Sequence, residues 1–152
     1  MGRSARAGAL SAWVHYLKDV EFKEWSDEYY QGSAVTIGAG VFGYEILEAA
    51  TLEGKVVVGG ECPTVGLAGG YTQGGGNSAL STEFGLAADQ TLVFQVVTAA
   101  GNVVTASRTE NSDLYWALSG GGGGNYGIVV SMTVKTYPDA PVAGAGLQFA
   151  AA

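Results

Sequence analysis

The chain has 152 residues, 47% of them hydrophobic and 14% charged, so it can bury one core and is too apolar to be disordered. Its formal net charge of -7 argues against a nucleic-acid partner, because phosphates attract basic surfaces. The single cysteine excludes an internal disulfide, and no Cys/His cluster indicates a metal. We identify neither a signal peptide nor a membrane span, so no membrane partner is expected.

The first third of the chain predicts strands around one helix. Residues 10–17 fit either a helix face or a strand, and the short break before Val20 favours two strands over one long helix. A strand is predicted at 33–37. The helix that follows is predicted at 41–53, and Gly54 is a typical residue for its C-terminal end.

The rest of the chain predicts a hairpin and a last long strand. A short buried strand is predicted at 55–58, followed by a glycine-rich loop and a polar helical turn. Residues 92–98 form a clear strand pattern, and a glycine-containing turn makes 102–106 its hairpin partner. A helix is predicted at 112–118 and a strand at 128–135. One strand–helix–strand unit followed by a hairpin indicates an α+β fold.

The most informative segment is the glycine-rich stretch at 60–76, which contains the only cysteine, Cys62. Glycine lets backbone amides approach a bulky ligand and adopts positive φ without steric cost. A second run of five glycines, at 120–124, lies between an aromatic-rich helix and an apolar strand, which is an unusual setting for a flexible linker. Two such loops in one small domain favour one large anionic ligand held by backbone amides.

Two motifs leave alternatives open. Residues 38–43 read Gly-Ala-Gly-Val-Phe-Gly and Glu61 follows about 20 residues later, as in a nicotinamide dinucleotide-binding domain. A sharp strand-to-helix turn explains the same glycines, and we favour it because no further strand–helix alternation follows. A lone cysteine is usually a buried small hydrophobe, whereas the tight turn around Cys62 favours a reactive thiol. The only histidine, His15, is distant in sequence, which disfavours a cysteine protease.

Several motifs together resemble the fungal, berberine bridge enzyme-like FAD-linked oxidases of the vanillyl-alcohol-oxidase fold. The resemblance covers residues 8–142. It rests on Gly-Gly-Glu-Cys-Pro-Thr-Val-Gly at 59–66, Gly-Gly-Tyr-Thr-Gln-Gly-Gly-Gly at 69–76, Gly-Leu-Ala-Ala-Asp at 85–89, and Asp-Leu-Tyr-Trp-Ala-Leu at 113–118 with its glycine run. It implies a PCMH-type FAD-binding domain fragment, namely the second, larger subdomain, with a mixed or antiparallel sheet and flanking helices.

The resemblance also implies FAD as the cofactor and assigns residues to it. Cys62 matches a cysteine that many members bond to carbon 6 of the isoalloxazine, and Tyr71 matches a position beside the pyrimidine edge. The loop that would lie against the flavin and its pyrophosphate comprises Thr64, Val65, Gly66, Gly69 and Gly70. The segment whose main chain would reach the adenosine half comprises Asn125, Gly127 and Ile128.

The same resemblance implies a domain division and an activity. Residues 1–141 would form part of the FAD-binding domain, and the tail at 142–152 would begin a substrate domain. The expected activity is hydride transfer from an alcohol or amine carbon of a small molecule to the flavin, with O₂ as acceptor. Family members also begin with a unit that carries a Gly-His flavin-binding motif, for which residues 1–7 offer no counterpart.

The lack of a counterpart to this first unit leads to two further expectations. We assign no catalytic residue, and the alternative function is a truncated, cofactor-free protein with a binding or structural role. Apolar surface is expected on the 41–53 helix and on 55–58, where the first unit would pack. Such surface favours self-association or a complementing chain.

Overall fold

A computed structural model describes residues 7–141, 143 and 145–149. The described part combines seven strands with four α-helices and one π-helical turn. In chain order they are β1 (Val20–Ser26), β2 (Gln31–Gly38), α1 (Gly43–Leu52), β3 (Lys55–Val56), the π-helical turn (Leu67–Tyr71), α2 (Ser81–Phe84), α3 (Ala87–Gln90), β4 (Thr91–Val97), β5 (Val103–Ser107), α4 (Ser112–Leu118), β6 (Ile128–Lys135) and β7 (Tyr137–Pro138).

A five-stranded sheet in the order β1-β2-β6-β4-β5 holds the core, and every neighbouring pair is antiparallel. Its register aligns apolar residues across the strands, with Phe94 opposite both Met132 and Ala106 and Ile37 also opposite Met132. All four are buried. Because side chains alternate between the two faces of a strand, this register places one apolar face against the helices.

Helices α1 and α4 and the π-helical turn cover that apolar face. They contribute Ile46, Leu118 and Leu67 to the same hydrophobic cluster as the sheet residues. The second, two-stranded sheet pairs β3 with β7 in antiparallel fashion. The predicted α+β fold is therefore confirmed, and the main sheet is wholly antiparallel.

The structure corrects two predictions about the first third of the chain. Residues 10–17 form no helix or strand, whereas the strand expected from Val20 is present as β1 and continues to Ser26. The expectation of exposed apolar surface on 55–58 is wrong, because Val57 and Val58 are buried in the described structure. That surface is present on α1, where Leu47 and Leu52 are exposed.

Two glycines of the 38–43 motif, Gly38 and Gly40, pack against the preceding segment of the chain. A Cβ on Gly38 would lie 2.3 Å from the Leu17 carbonyl oxygen, and one on Gly40 would lie 2.4 Å from that of Val14. Their amides donate to the carbonyls of Asp19 and Leu17. A dinucleotide fingerprint needs free amides and a parallel sheet, so the nicotinamide alternative is wrong for this motif.

The remaining expectations concern the membrane and the domain boundary. Within the described residues, no helix is both long enough and apolar enough to cross a bilayer. The described residues of the tail, 143 and 145–149, carry neither helix nor strand. The boundary after residue 141 stays a prediction.

Candidate functional site

The loop that carries Cys62 is fastened to the start of α1. The Gly43 N–H donates to the Val65 carbonyl at 2.8 Å, and the Tyr44 N–H donates to the Pro63 carbonyl at 2.9 Å. These donors are two of the amides that a helix leaves unpaired at its N-terminus, so the loop caps the helix. The Val65 N–H also donates to the Cys62 carbonyl, at 3.2 Å. The backbone around Cys62 is therefore fixed while its thiol is exposed.

Cys62 lines a pocket of about 340 Å³. Two parts of the chain line this pocket, residues 60–62 with Val65 and residues 77–79, and Tyr71 lines it as well. Ligand pockets in proteins usually measure about 300–1,000 Å³, so this one can accept part of a cofactor such as a ring edge.

Tyr71 bridges the two parts of the lining. Its hydroxyl donates to the Asn77 carbonyl at 2.8 Å. Burial raises the pKa of the Tyr71 phenol above its ordinary value, so the hydroxyl remains a donor at neutral pH.

The two glycine-rich segments meet in space. The Gly122 N–H donates to the Gln73 carbonyl at 2.7 Å. A Cβ on Gly123 would lie 2.9 Å from the Gly70 Cα, a distance that only glycine permits. The Gln73 side chain is buried and donates to the Ala68 carbonyl at 2.9 Å, which stiffens the turn from within. The segments at 60–76 and 120–124 thus form one continuous backbone surface.

Gly69 and Gly70 provide a test of whether the site fits a bound cofactor. A Cβ added at either residue would meet no described atom within 4 Å outside its chain neighbours and its own helical turn, and neither residue has a positive φ, although Gly69 departs from helical geometry with ψ -136°. Packing inside the chain therefore does not explain the glycine at 70. A ligand pressed against this backbone does explain it, because a side chain would fill the ligand's space. The residues present fit a large cofactor such as FAD.

The segment assigned to the adenosine half lies outside the Cys62 pocket, whose described lining comes from residues 60–79. The Asn125 side-chain amide donates to two carbonyls of the glycine run, at 2.9 and 3.2 Å. Gly127 has φ +143°, and a Cβ there would lie 2.6 Å from a Val96 methyl. Ile128 begins β6 and is 43% exposed. Asn125 and Gly127 therefore shape the loop, and a role in binding the cofactor stays a prediction.

Sequence reasoning overlooked several residues that build this site. They are Gly60 and Asn77, which contact Tyr71, and Gln73 and Gly123, which join the two loops. All lie within or beside the two glycine-rich segments. The polar residues directly after the glycine triplet indicate a loop at Asn77. The neighbours of Gly123 in the sequence, by contrast, do not indicate which residue it contacts.

The other chemistry-bearing residues form no catalytic constellation in the described structure. The His15 ring stacks on Trp13 at a centroid distance of 5.3 Å and also contacts Tyr16 and Phe42. Within residues 7–141, 143 and 145–149, no group of three or more His, Cys, Asp or Glu side chains could hold a metal ion. We assign no catalytic acid, base or metal ligand.

Comparisons with known proteins agree with the family resemblance. FAD-linked oxidoreductase ZEB1 of Gibberella zeae is 59% identical over 149 residues, which are 98% of this chain and 26% of that protein. The VAO-type flavoprotein MtVAO615 of Myceliophthora thermophila C1 is 54% identical with a TM-score of 0.84, over 86% of this chain and 24% of that one. Over most of its length the chain is similar to VAO-type, berberine bridge enzyme-like FAD-linked oxidoreductases. No family model matches it.

One more solved relative bears on Cys62. Glucooligosaccharide oxidase from Acremonium strictum, which carries a 6-S-cysteinyl, 8α-N1-histidyl FAD, is 35% identical with a TM-score of 0.64, over 77% of this chain and 24% of that one. The family resemblance inferred from the motifs is confirmed. The chain spans about a quarter of the length of these relatives.

Proposed function

We propose that this chain supplies part of the FAD site of an FAD-dependent oxidoreductase that acts on a small molecule. The observation that carries the proposal is the open backbone surface at Gly69 and Gly70, directly before Tyr71, which lines the pocket that contains Cys62. When bound, the flavin would accept a hydride from an alcohol or amine carbon and pass the electrons to O₂.

The chain's own residues would hold and orient this cofactor. The main chain of Thr64, Val65, Gly66, Gly69 and Gly70 would lie along the flavin and its pyrophosphate. Glycine permits that close approach, and the contacts to α1 hold the loop in place. Asn125, Gly127 and Ile128 would present main-chain groups to the adenosine half. Such pre-organised loops let the protein bind the cofactor without ordering itself first.

Cys62 would also bind the flavin covalently, through a thioether from Sγ to carbon 6 of the ring. The thiol is exposed, and its backbone is fixed by the turn that caps α1. Forming the bond replaces a ring C–H by C–S, and two protons and two electrons leave to O₂, which becomes hydrogen peroxide. The 6-S-cysteinyl link of glucooligosaccharide oxidase supports this assignment.

Mass spectrometry under denaturing conditions tests the proposal. The purified chain is incubated with FAD in air, precipitated with acid and digested. We expect a flavin mass on the peptide that contains Cys62, and none in Cys62→Ala. Flavin that washes out of the wild-type chain, or stays attached in Cys62→Ala, contradicts the covalent link. A wild-type chain that takes up no FAD at all contradicts the FAD site itself.

A further inference from the structure

Tyr71 lines the Cys62 pocket and contacts a residue from each of the other two parts of its lining. On one side, a Cβ on Gly60 would lie 2.9 Å from the ring atom Cε2, so the ring rests directly on the backbone two residues before Cys62. On the other side, its hydroxyl is bonded to the Asn77 carbonyl. One aromatic ring therefore spans the pocket from residue 60 to residue 77.

The ring has little freedom to move away from Gly60. A Cβ on Gly76 would lie 3.0 Å from Cε1 of the same ring and 2.6 Å from the Ala87 Cβ, so Gly76 packs closely against both neighbours. Tyr71 is thus held between two glycine backbones and by one hydrogen bond.

We propose that Tyr71 is a positioning residue that sets the width of the Cys62 pocket. By fixing the separation between residues 60–62 and residues 77–79, the ring holds the Cys62 sulfur where it can reach the edge of a bound flavin. This inference rests on the proposed function. It assigns to Tyr71 a role as a spacer that acts through Cys62, and it explains the glycine at 60 as the room that the ring needs.

Four variants test the contribution of the Tyr71 ring separately from that of the residues around it. Tyr71→Ala removes the spacer, whereas Tyr71→Phe keeps the ring and removes only the hydroxyl. Gly60→Ala inserts a methyl group against the ring at a residue whose φ is not positive, so the variant tests space and not backbone strain. Gly59→Ala is its matched control, because a Cβ there makes only ordinary contacts, the nearest at 3.7 Å to the Leu67 side chain.

The first measurement needs no cofactor. Hydrogen exchange of the full chain is followed on peptides covering residues 60–62 and 77–79, with the peptides of the β4–β6 pair as a reference for global stability. We expect Tyr71→Ala to raise exchange in both segments about tenfold more than in the reference, and Gly59→Ala to raise neither. Unchanged exchange in Tyr71→Ala overturns the spacer role.

The second measurement is the rate at which FAD becomes covalently attached to Cys62. A small misplacement of a reacting group costs up to about 100-fold, so we expect a loss of that order in Tyr71→Ala and Gly60→Ala. Tyr71→Phe should recover most of the wild-type rate. Non-covalent FAD affinity is measured in the Cys62→Ala chain with and without Tyr71→Ala. The Tyr71→Ala substitution should lower this affinity much less than it lowers the attachment rate, whereas a general weakening of the fold would lower both.

The outcomes separate this inference from the function on which it rests. If the wild-type chain attaches FAD and Tyr71→Ala attaches it equally fast, only the spacer role is wrong. If Tyr71→Phe is as slow as Tyr71→Ala, or if affinity and attachment rate fall together, the spacer role is also wrong. If the wild-type chain attaches no FAD, the proposed attachment is wrong and the positioning role fails with it.

Discussion

At the scale of single residues, glycine serves two different purposes in the candidate site. Gly123 is required by the chain itself, because its backbone lies against the backbone of Gly70 and leaves no room for a methyl group. The chain does not require glycine at position 70 in the same way, because a Cβ added to Gly70 would enter open space. The two residues touch each other, and alanine at each should therefore have a different consequence.

Gly123→Ala should lower the free energy of unfolding by about 1–3 kcal/mol, because overpacking pushes the two glycine-rich loops apart. Gly70→Ala should change it by less than about 0.5 kcal/mol, as is usual for a residue with free space. It should still weaken FAD binding, since the methyl group lies where the cofactor would. Urea unfolding and FAD titration of both variants measure these effects. A large loss of stability in Gly70→Ala would contradict the assignment of that space to a ligand.

At the scale of the element, the start of α1 organises the cysteine loop. The Glu45 carboxylate accepts hydrogen bonds from the Lys18 ammonium at 2.5 Å and the Phe42 N–H at 2.7 Å. These bonds, the one from Lys18 first, hold the pKa of Glu45 below its usual value. The carbonyls of Pro63 and Val65 accept from the next amides of the helix. The N-terminus of α1 therefore holds Lys18, which precedes the helix in the sequence, and the cysteine loop, which follows it.

Glu45→Gln should lower the stability of the chain by about 0.3–1 kcal/mol at pH 7, because it removes a negative charge from a helix N-terminus. A carboxylate with a lowered pKa stabilises the fold above the unfolded-state value of about 4.3, and this contribution is lost as the pH falls through the folded-state value. The difference between wild type and variant should therefore shrink as the pH falls below about 4. Urea unfolding across this range is the measurement.

A matched control for that experiment is Glu48→Gln. Glu48 is exposed on the same helix and the substitution removes the same charge. It should have a small effect on stability at all pH values tested. A stability difference for Glu45→Gln that does not depend on pH would show that its carboxylate is not the source of the effect.

At the scale of the whole molecule, the described surface carries an exposed aromatic cluster beside α1. Trp13 and Tyr16 are 73% and 76% exposed and contact each other at a centroid distance of 5.1 Å. Through His15 they join the Phe42 ring, which precedes α1. Contiguous exposed apolar surface on a soluble domain marks a site of association. This cluster, and not the segment at 55–58, is the surface on which self-association is expected.

The purified chain should therefore show a mass that rises with concentration in light scattering. Replacing both Trp13 and Tyr16 by serine should lower that rise, because it removes exposed aromatic area while leaving the core intact. Trp116→Ser is the control, since Trp116 is 80% exposed on α4, outside the cluster. A constant monomer mass at all concentrations, or an equal effect of Trp116→Ser, would contradict this prediction.

The sequence by itself determined most of the longer elements and the resemblance to a family. The alternation in residues 92–98 and 128–135 predicted β4 and β6, since the face that each residue takes depends only on its neighbours along the chain. The start and end signals around α1 are equally local. The motifs around Cys62 and Gly120 identified the flavoprotein family, because long motifs in a fixed order carry far more information than composition.

Only the tertiary structure decided how these local features combine. The 38–43 glycines fit both a dinucleotide fingerprint and a sharp strand-to-helix turn, and the packing of the segment at 14–19 against Gly38 and Gly40 agrees with the turn that the sequence already favoured. Likewise, the contact of Gly123 with Gly70 and of Tyr71 with Gly60 joins residues with no periodic relation in the sequence. Glycine signals that the backbone comes close to something. Whether that is the chain's own backbone, an aromatic ring or open space for a ligand depends on long-range packing, which no local pattern records.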